Sequence, residues 1–191
     1  MKSRIPVLAL AALAAAVALP AAAQSKGEWT LGVGVHNVDP KSNNGRLDAT
    51  ALELGVLPPT RVGSSARPTI TAEYFVRDNL GIEVLAALPF RHDIDIEGVG
   101  KVGSTKHLPP VVSLQYHFAP EAKVSPYVGA GINYMLFYSG KDKNGFKVDI
   151  DDGFGYALQA GVDVALKDRW SANLDVKKVF FETDASINGG A

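Results

Sequence analysis

Seven segments of the chain alternate between apolar residues and polar or small residues with a period of two. Such alternation predicts β-strands, because successive side chains of a strand point to opposite faces of the sheet. In each segment one of the two faces is apolar and carries no charge. The segments with this pattern are 29–36, 69–76, 80–88, 111–118, 127–136, 155–166 and 170–177.

The links between these predicted strands alternate strictly between short and long. The short links are polar turns, and they lie at 77–79, 119–123 and 167–169. The long links are also polar, and they cover 37–67, 89–106 and 138–152. This layout is typical of outer-membrane barrels, in which the periplasmic turns are short and the outer loops are long.

A soluble lipocalin-like barrel or sandwich would show the same alternation, with its apolar faces turned inward around a core. Two features favour lipid on the apolar side instead. The uncharged faces match a tilted membrane span of about 9–11 residues, and aromatic residues gather near strand ends, where a membrane barrel has its interfacial girdles. These aromatic residues are Trp29, Tyr116, Phe118, Phe154 and Trp170. We therefore expect an all-β fold, an antiparallel transmembrane β-barrel.

The N-terminal residues predict export. A basic start precedes an apolar run over 7–19, and an A-x-A site follows at 21–23. This is the pattern of a secretory signal peptide, and the run is short for a membrane-spanning helix of about 20 residues. We expect residues 1–23 to be a signal peptide that is cleaved after Ala23, and residues 24–191 to be the barrel domain.

Composition narrows the function classes further. The formal net charge is −1 and the chain has no cysteine. A nearly neutral chain has no basic footprint for nucleic acid. A secreted chain of this size without disulfides needs a large core or a lipid environment for its stability. Beyond the N-terminal run, no stretch reaches the roughly 18 apolar residues of a membrane helix, so a membrane protein of this sequence would cross with strands.

The strand faces opposite the predicted lipid carry polar residues, most of them toward the short turns. These side chains would converge inside the barrel, where isolated charges are costly and paired, hydrogen-bonded charges are tolerated. We therefore expect a polar plug near the periplasm rather than an open pore. Its predicted members are Glu73, Glu83, Gln115, His117, Asn133, Gln159, Asp163, Asp175 and Lys177.

Four stretches of the chain resemble the outer-membrane protein W (OmpW) family: DNLGIEVLAALPFRHDI (78–94), KVGSTKHLPPVVSLQYHF (101–118), PYVGAGINY (126–134) and DDGFGYALQAGVDVAL (151–166). The resemblance implies an eight-stranded outer-membrane barrel with a lumen that is hydrophobic toward the outer side and closed below. It also implies uptake of small hydrophobic molecules that leave sideways into the membrane, and a receptor role for some bacteriocins. Family barrels close with an eighth strand that ends in an aromatic residue. Since this chain shows seven strands and ends in SINGGA, we expect its C-terminal strand to be missing.

The resemblance also implies a lumen constriction between a leucine of the third strand and an aromatic residue of the sixth strand, here Leu85 and Phe154. Leu85 lies on the inward face with Glu83. Strict alternation turns Phe154 outward, so we expect a bulge between Gly153 and Gly155 to re-aim it. The predicted lumen wall along the solute path consists of Leu85, Ala87, Phe90 and Phe154.

Metal and enzyme chemistry find little support in the sequence. The four histidines show no spacing that fixes a metal geometry, and we expect the acidic run at 149–152 to be a solvated loop rather than a calcium site. We therefore expect no metal and no cofactor. A lipid-modifying enzyme would need a histidine with a serine or aspartate in reach. The best set is His107 with Ser104 or Asp93, and because no nucleophile motif surrounds it we expect no enzyme.

These observations predict a passive channel for small hydrophobic molecules with lateral release into the membrane. Pro109 and Pro110 lack backbone donors and interrupt the strand ladder, so we expect the lateral opening there. The alternative is a structural or recognition barrel whose outer loops, 37–67 and 138–152, bind a bacteriocin, a phage or a host surface. The expected partners are outer-membrane lipid and lipopolysaccharide, small hydrophobic solutes and the outer-membrane assembly machinery, and we expect no nucleic acid partner.

Overall fold

The regular structure of the protein is β-strand throughout the residues that the computed structural model describes, namely 4–12, 16–19, 24–40, 60–96, 100–138, 147–167 and 169–188. This part of the chain contains no helix that is long and apolar enough to cross a membrane. The all-β class predicted from the alternating pattern is therefore confirmed.

Thirteen strands lie within the described ranges. In chain order they are β1 (Arg4–Ala12), β2 (Ala16–Leu19), β3 (Trp29–Pro40), β4 (Thr60–Val62), β5 (Ser65–Arg77), β6 (Leu80–Ala87), β7 (Phe90–Ile96), β8 (Gly100–Leu108), β9 (Val111–His117), β10 (Val124–Tyr138), β11 (Lys147–Ile150), β12 (Gly153–Ala165) and β13 (Ser171–Asn188). The seven predicted strands correspond to β3, β5, β6, β9, β10, β12 and β13.

These seven strands are antiparallel neighbours in chain order, from β3 to β13. The sheet then closes on itself, because β1 and β2 each pair with both β13 and β3. The result is a barrel with eight strand positions, of which β1 and β2 together take one. These pairings cover parts of both edges of the seven-stranded sheet, which would otherwise lie open to hydrocarbon.

The strands that close the barrel belong to the segment predicted to be a signal peptide. They occupy the place expected for an eighth strand, since an apolar segment is stabilised there by pairing with two open edges. Cleavage after Ala23 stays a prediction. Gln24, the first residue after that site, is held in the barrel. Its amide donates to Asp163 at 2.8 Å and accepts from Ser125 at 2.7 Å.

The prediction that residues between the barrel strands are loops was wrong in part. Four strands lie in those links, namely β4, β7, β8 and β11. β7 and β8 form a hairpin, and β4 pairs with β7. Charged residues such as Arg91 and Lys106 hide the strand pattern here because they make the outward face polar. Most of the predicted recognition loops, 41–59 and 139–146, lies outside the described residues.

The burial pattern is inverted relative to that of a soluble protein. Large apolar side chains point outward, as with Ile132 at 61% exposure, whereas the inward His117 is fully buried. An outer face made of exposed isoleucine, leucine, valine and aromatic side chains is stable where it meets an apolar medium. This excludes the soluble lipocalin-like alternative, whose apolar faces would point inward.

Candidate functional site

The barrel interior has a polar zone near the short turns and an apolar zone toward the outer side. The centre of the polar zone is Lys177, whose side chain is 3% exposed. Its ammonium group lies 3.1 Å from Glu83 and 3.7 Å from Asp175, and it also donates to the Gln159 carbonyl oxygen. Ser113 donates to the same Gln159 oxygen at 3.1 Å. A buried lysine with this many partners is a paired charge rather than an isolated one.

A second part of the polar zone centres on His117. Its Nε2 lies 3.0 Å from Glu73 and its Nδ1 lies 3.6 Å from Asp163, so the ring contacts two carboxylates. Next to it, the Tyr127 hydroxyl donates to Asp175 at 2.9 Å. Tyr127 reaches this position by lying over Gly161, where a Cβ would overlap the ring.

These side chains form a hydrogen-bonded network. A cavity of about 40 Å³ lies within it, lined in part by His36, Gln115 and Asp175. A space of this size holds a few water molecules, which find polar partners there. The space inside the network is too small for a ring-sized solute.

One predicted member of the plug was misplaced. Asn133 is fully buried, but its amide donates to the Pro110 carbonyl oxygen at 3.1 Å. Its ladder partners are Val111 and Gly155, so it borders the apolar zone instead. The sequence analysis also left out residues that the network uses. Ser113 and Tyr127 lie an even number of positions from predicted members on the same strand, so they face the same side of the sheet. This even spacing is the sequence feature that could have identified them.

The apolar zone lies above the plug and contains the predicted lumen residues of the third strand. Leu85 is 5% exposed and Phe90 is 1% exposed, and Ala87 packs against the same cluster. The other buried members are Val38, Val111, Met135, Ala157, Val179 and Phe181, with Phe137 partly buried against them. Val179 and Phe181 were missed because the predicted seventh strand ended at residue 177, whereas β13 continues beyond it.

The prediction that Phe154 lines the lumen was wrong. Its side chain is 75% exposed on the outer face, and its ring lies 4.6 Å from that of Tyr134. The ladder between β10 and β12 runs without a register shift to Gly153, so no bulge turns Phe154 inward. The aromatic residue that faces the lumen at this level is Phe181, which packs against Gly153 and Gly155.

The barrel wall is interrupted beside the apolar zone. The ladder between β6 and β9 ends at the pair Leu85 and Val111, and the ladder between β7 and β8 begins at Phe90 and His107. Within the described residues, no ladder pair joins 86–89 to 108–110.

Both sides of this interruption contain proline, Pro89 on one side and Pro109 and Pro110 on the other. Proline cannot donate to a ladder. Each side is tied to the strand behind it, through Leu88 donating to Pro68 and Tyr134 donating to Pro110. The interruption is therefore a fixed break between two anchored segments.

A stack of aromatic and imidazole rings lies at the outer end of the apolar zone. The rings of His92 and His107 are 4.8 Å apart and nearly parallel, and Phe90 lies 5.6 Å from His107. The outward neighbours at this level are Arg91 and Lys106, which are exposed, so the stack lies beyond the lipid-facing part of the wall. Burial lowers the pKa of His107 to about 3 and also lowers the pKa of His92. Both rings are therefore neutral near pH 7.

The depressed pKa of His107 predicts a pH dependence of stability. Below the ordinary value of 6.5, the unfolded chain binds a proton that the folded protein does not, so the free energy of unfolding falls as the pH falls. The expected loss from this residue is about 2 kcal/mol at a pH about 1.5 units below that value. Urea unfolding of the protein and of a His107→Phe variant at several pH values checks this. In the variant, the free energy of unfolding should fall less steeply as the pH falls. Equal slopes in the two proteins would contradict the assignment.

Residues considered for metal or enzyme chemistry lie in or near the ring stack. In the described part of the chain, no group of three or more histidine, aspartate or glutamate side chains is placed to hold a metal ion. Ser104 accepts a hydrogen bond from Arg91 at 3.3 Å, while the His107 ring contacts other rings.

Comparison with known proteins agrees with this barrel. The model of the OmpW family matches residues 25–191. Outer membrane protein W of Vibrio cholerae is 34% identical, over 97% of this chain and 88% of its own length. Outer membrane protein W of Escherichia coli K12 is also 34% identical, over 96% of this chain and 89% of its own length. The crystal structure of outer membrane protein OprG from Pseudomonas aeruginosa has a TM-score of 0.54 and 18% identity, and covers 95% of this chain and 96% of that one.

Proposed function

The chain belongs to the OmpW family of bacterial outer-membrane proteins, and from this premise we propose that it is a passive channel for small hydrophobic molecules that releases them sideways into the membrane. The family and its solved relative are outer-membrane barrels and not enzymes. Outer-membrane lipid, lipopolysaccharide and the assembly machinery are the partners that such a barrel requires.

The observation that carries the proposal is the apolar zone above the closed plug. Leu85, Phe90, Val111 and Phe181 form an inward apolar surface in a barrel whose outer face is apolar as well. Lining the inside of a membrane barrel with apolar side chains is not needed for insertion, since the interior of such barrels is usually polar. A solute gains about 25 cal/mol for each Å² of apolar surface that it buries there.

The route out of the apolar zone is the second part of the proposal. The network around Lys177 and His117 blocks the way to the periplasm, because a hydrophobic solute would have to separate paired charges to pass. The break in the wall between 86–89 and 108–110 adjoins Leu85, which is part of the apolar zone. A solute that leaves there enters the hydrocarbon of the membrane directly and stays in an apolar medium.

Influx into proteoliposomes tests the channel. We expect a hydrophobic solute to enter faster than it enters protein-free vesicles, and a hydrophilic solute of similar size to show no such acceleration. Equal acceleration of the two solutes, or none for either, would contradict the proposal. That result would leave the alternative, a structural or recognition barrel.

A reversible cross-link tests the lateral exit. Ala86→Cys with Pro110→Cys places one cysteine on each side of the break, in a chain that otherwise has no cysteine. Oxidation is expected to slow delivery of the hydrophobic solute to the membrane several-fold, and reduction is expected to restore it. Val84→Cys with Val112→Cys is the matched control, because these residues are already paired in the ladder. A similar effect of oxidation in both proteins would argue against an exit at the break.

A further inference from the structure

One imidazole nitrogen at the outer end of the apolar zone is buried without a hydrogen-bond partner among the residues that the structure describes. This atom is the His92 Nε2. The whole side chain is 2% exposed. Buried polar atoms nearly always have a partner, so an unpaired one beside an apolar cluster points to a group that the protein binds.

The chemical character of this atom follows from the other ring nitrogen. The Nδ1 of His92 lies 2.5 Å from the Gly63 carbonyl oxygen. A carbonyl oxygen can only accept, so Nδ1 carries the proton and donates. The ring is neutral because burial lowers its pKa, and a neutral imidazole has one N–H. Nε2 is therefore an acceptor, and the ring geometry turns it away from Gly63.

The surroundings of this acceptor suit a flat molecule. His92 and His107 are stacked at 4.8 Å with 14° between their planes, and Phe90 and Phe137 both contact His107. Phe90 and Phe137 belong to the apolar zone or pack against it. Aromatic faces with these spacings favour stacked or tilted rings over aliphatic chains of the same area.

We propose that His92, His107, Phe90 and Phe137 form a subsite for flat apolar molecules that carry one hydrogen-bond donor, such as a phenolic hydroxyl or an indole-type N–H. The donor bonds to the His92 Nε2 while the ring of the solute packs against the neighbouring aromatic rings. The inference rests on the proposed channel, since it names the class of solute that the apolar zone takes first.

The preference has a simple physical origin. A donor group that enters an apolar zone gives up its bond to water, and it is penalised unless the protein supplies an acceptor. A solute without a donor leaves Nε2 unpaired. The subsite therefore favours the donor-bearing solute over its donor-free analogue by about 2- to 10-fold.

The test compares 1-naphthol with 1-methoxynaphthalene, which keeps the rings and the oxygen but has no donor. Equilibrium dialysis measures how much of each is retained by vesicles that contain the full chain, above protein-free vesicles of the same lipid. We expect tighter binding of 1-naphthol by about 2- to 10-fold. His92→Phe and His92→Leu should bring the ratio to about one, since neither side chain has a hydrogen-bond acceptor. His92→Phe keeps a ring at this position, so it should weaken binding of 1-naphthol much more than binding of 1-methoxynaphthalene.

Two controls separate recognition from structural damage. His107→Phe keeps a ring beside His92 and should retain the preference. His92→Gln supplies an acceptor oxygen and should retain part of it. The proposal is overturned if the wild-type ratio is about one, or if the His92 variants weaken binding of both solutes alike. Influx is measured separately, so a preference in binding without influx of either solute would refute the channel and leave the subsite standing.

Discussion

Replacement of Lys177 by methionine is expected to lower the free energy of unfolding of the barrel by about 3–5 kcal/mol. The side chain is 3% exposed and lies within 4 Å of Glu83 and Asp175. Without the ammonium group, the Glu83 and Asp175 carboxylates remain in a closed interior without the lysine charge that faces both of them, and the charge left uncompensated is what destabilises the variant. Urea unfolding in lipid vesicles measures the effect through the fluorescence of Trp29 and Trp170.

Two variants show whether the loss comes from the plug. Lys178→Met removes the neighbouring lysine, whose ammonium group lies 5.0 Å from the centre of the Phe180 ring rather than inside the plug. It should change the unfolding free energy much less. Adding Glu83→Gln to Lys177→Met removes one of the stranded carboxylates and should restore part of the stability. If Lys177→Met and Lys178→Met proved equally stable, the plug would not be the charge network described above.

Replacement of Leu85 by aspartate is expected to reduce the influx of hydrophobic solutes by about tenfold or more. A fully buried leucine contributes about 1.5–3 kcal/mol of apolar contact, and about 1.4 kcal/mol corresponds to a factor of ten in an equilibrium constant. The carboxylate also brings water into the apolar zone, which removes the reason for a hydrophobic solute to collect there. Influx of a hydrophilic solute should stay at the level of protein-free vesicles.

The matched control at this position is Leu85→Met, which conserves volume and polarity. It should keep nearly all of the hydrophobic influx. Both variants need to be compared at equal amounts of folded barrel, which urea unfolding establishes. Unchanged influx in folded Leu85→Asp would show that the solute does not pass Leu85.

Much of the inner surface could be predicted because parity along a strand is a local property. Glu83 and Leu85 lie on the same face since they are two residues apart, and the structure places both inside. The prediction for Phe154 was wrong because it set this local parity aside in favour of the family resemblance. Strict alternation turned it outward, and the bulge invoked to bring it inward is not in the ladder.

The partners of each inward side chain could not be predicted in the same way. Lys177 meets Glu83, which lies 94 positions away in the chain. That contact depends on how the strands are staggered around the barrel, and the pattern of a single strand does not contain the stagger. The same holds for the stack of His92 on His107, which depends on the pairing of β7 with β8 in a region whose charged residues resemble a loop.

By itself, the sequence determined the seven barrel strands, the apolar outer face and the division of the inner face into polar and apolar parts. Each of these follows from the period of two and from the cost of placing a charge in lipid, and both act on neighbouring residues. The tertiary structure alone decided the pairing within the plug, the stack of His92 on His107 and the unpaired acceptor on His92. These depend on register and closure, which join residues that are distant in the chain and leave no periodic trace along it.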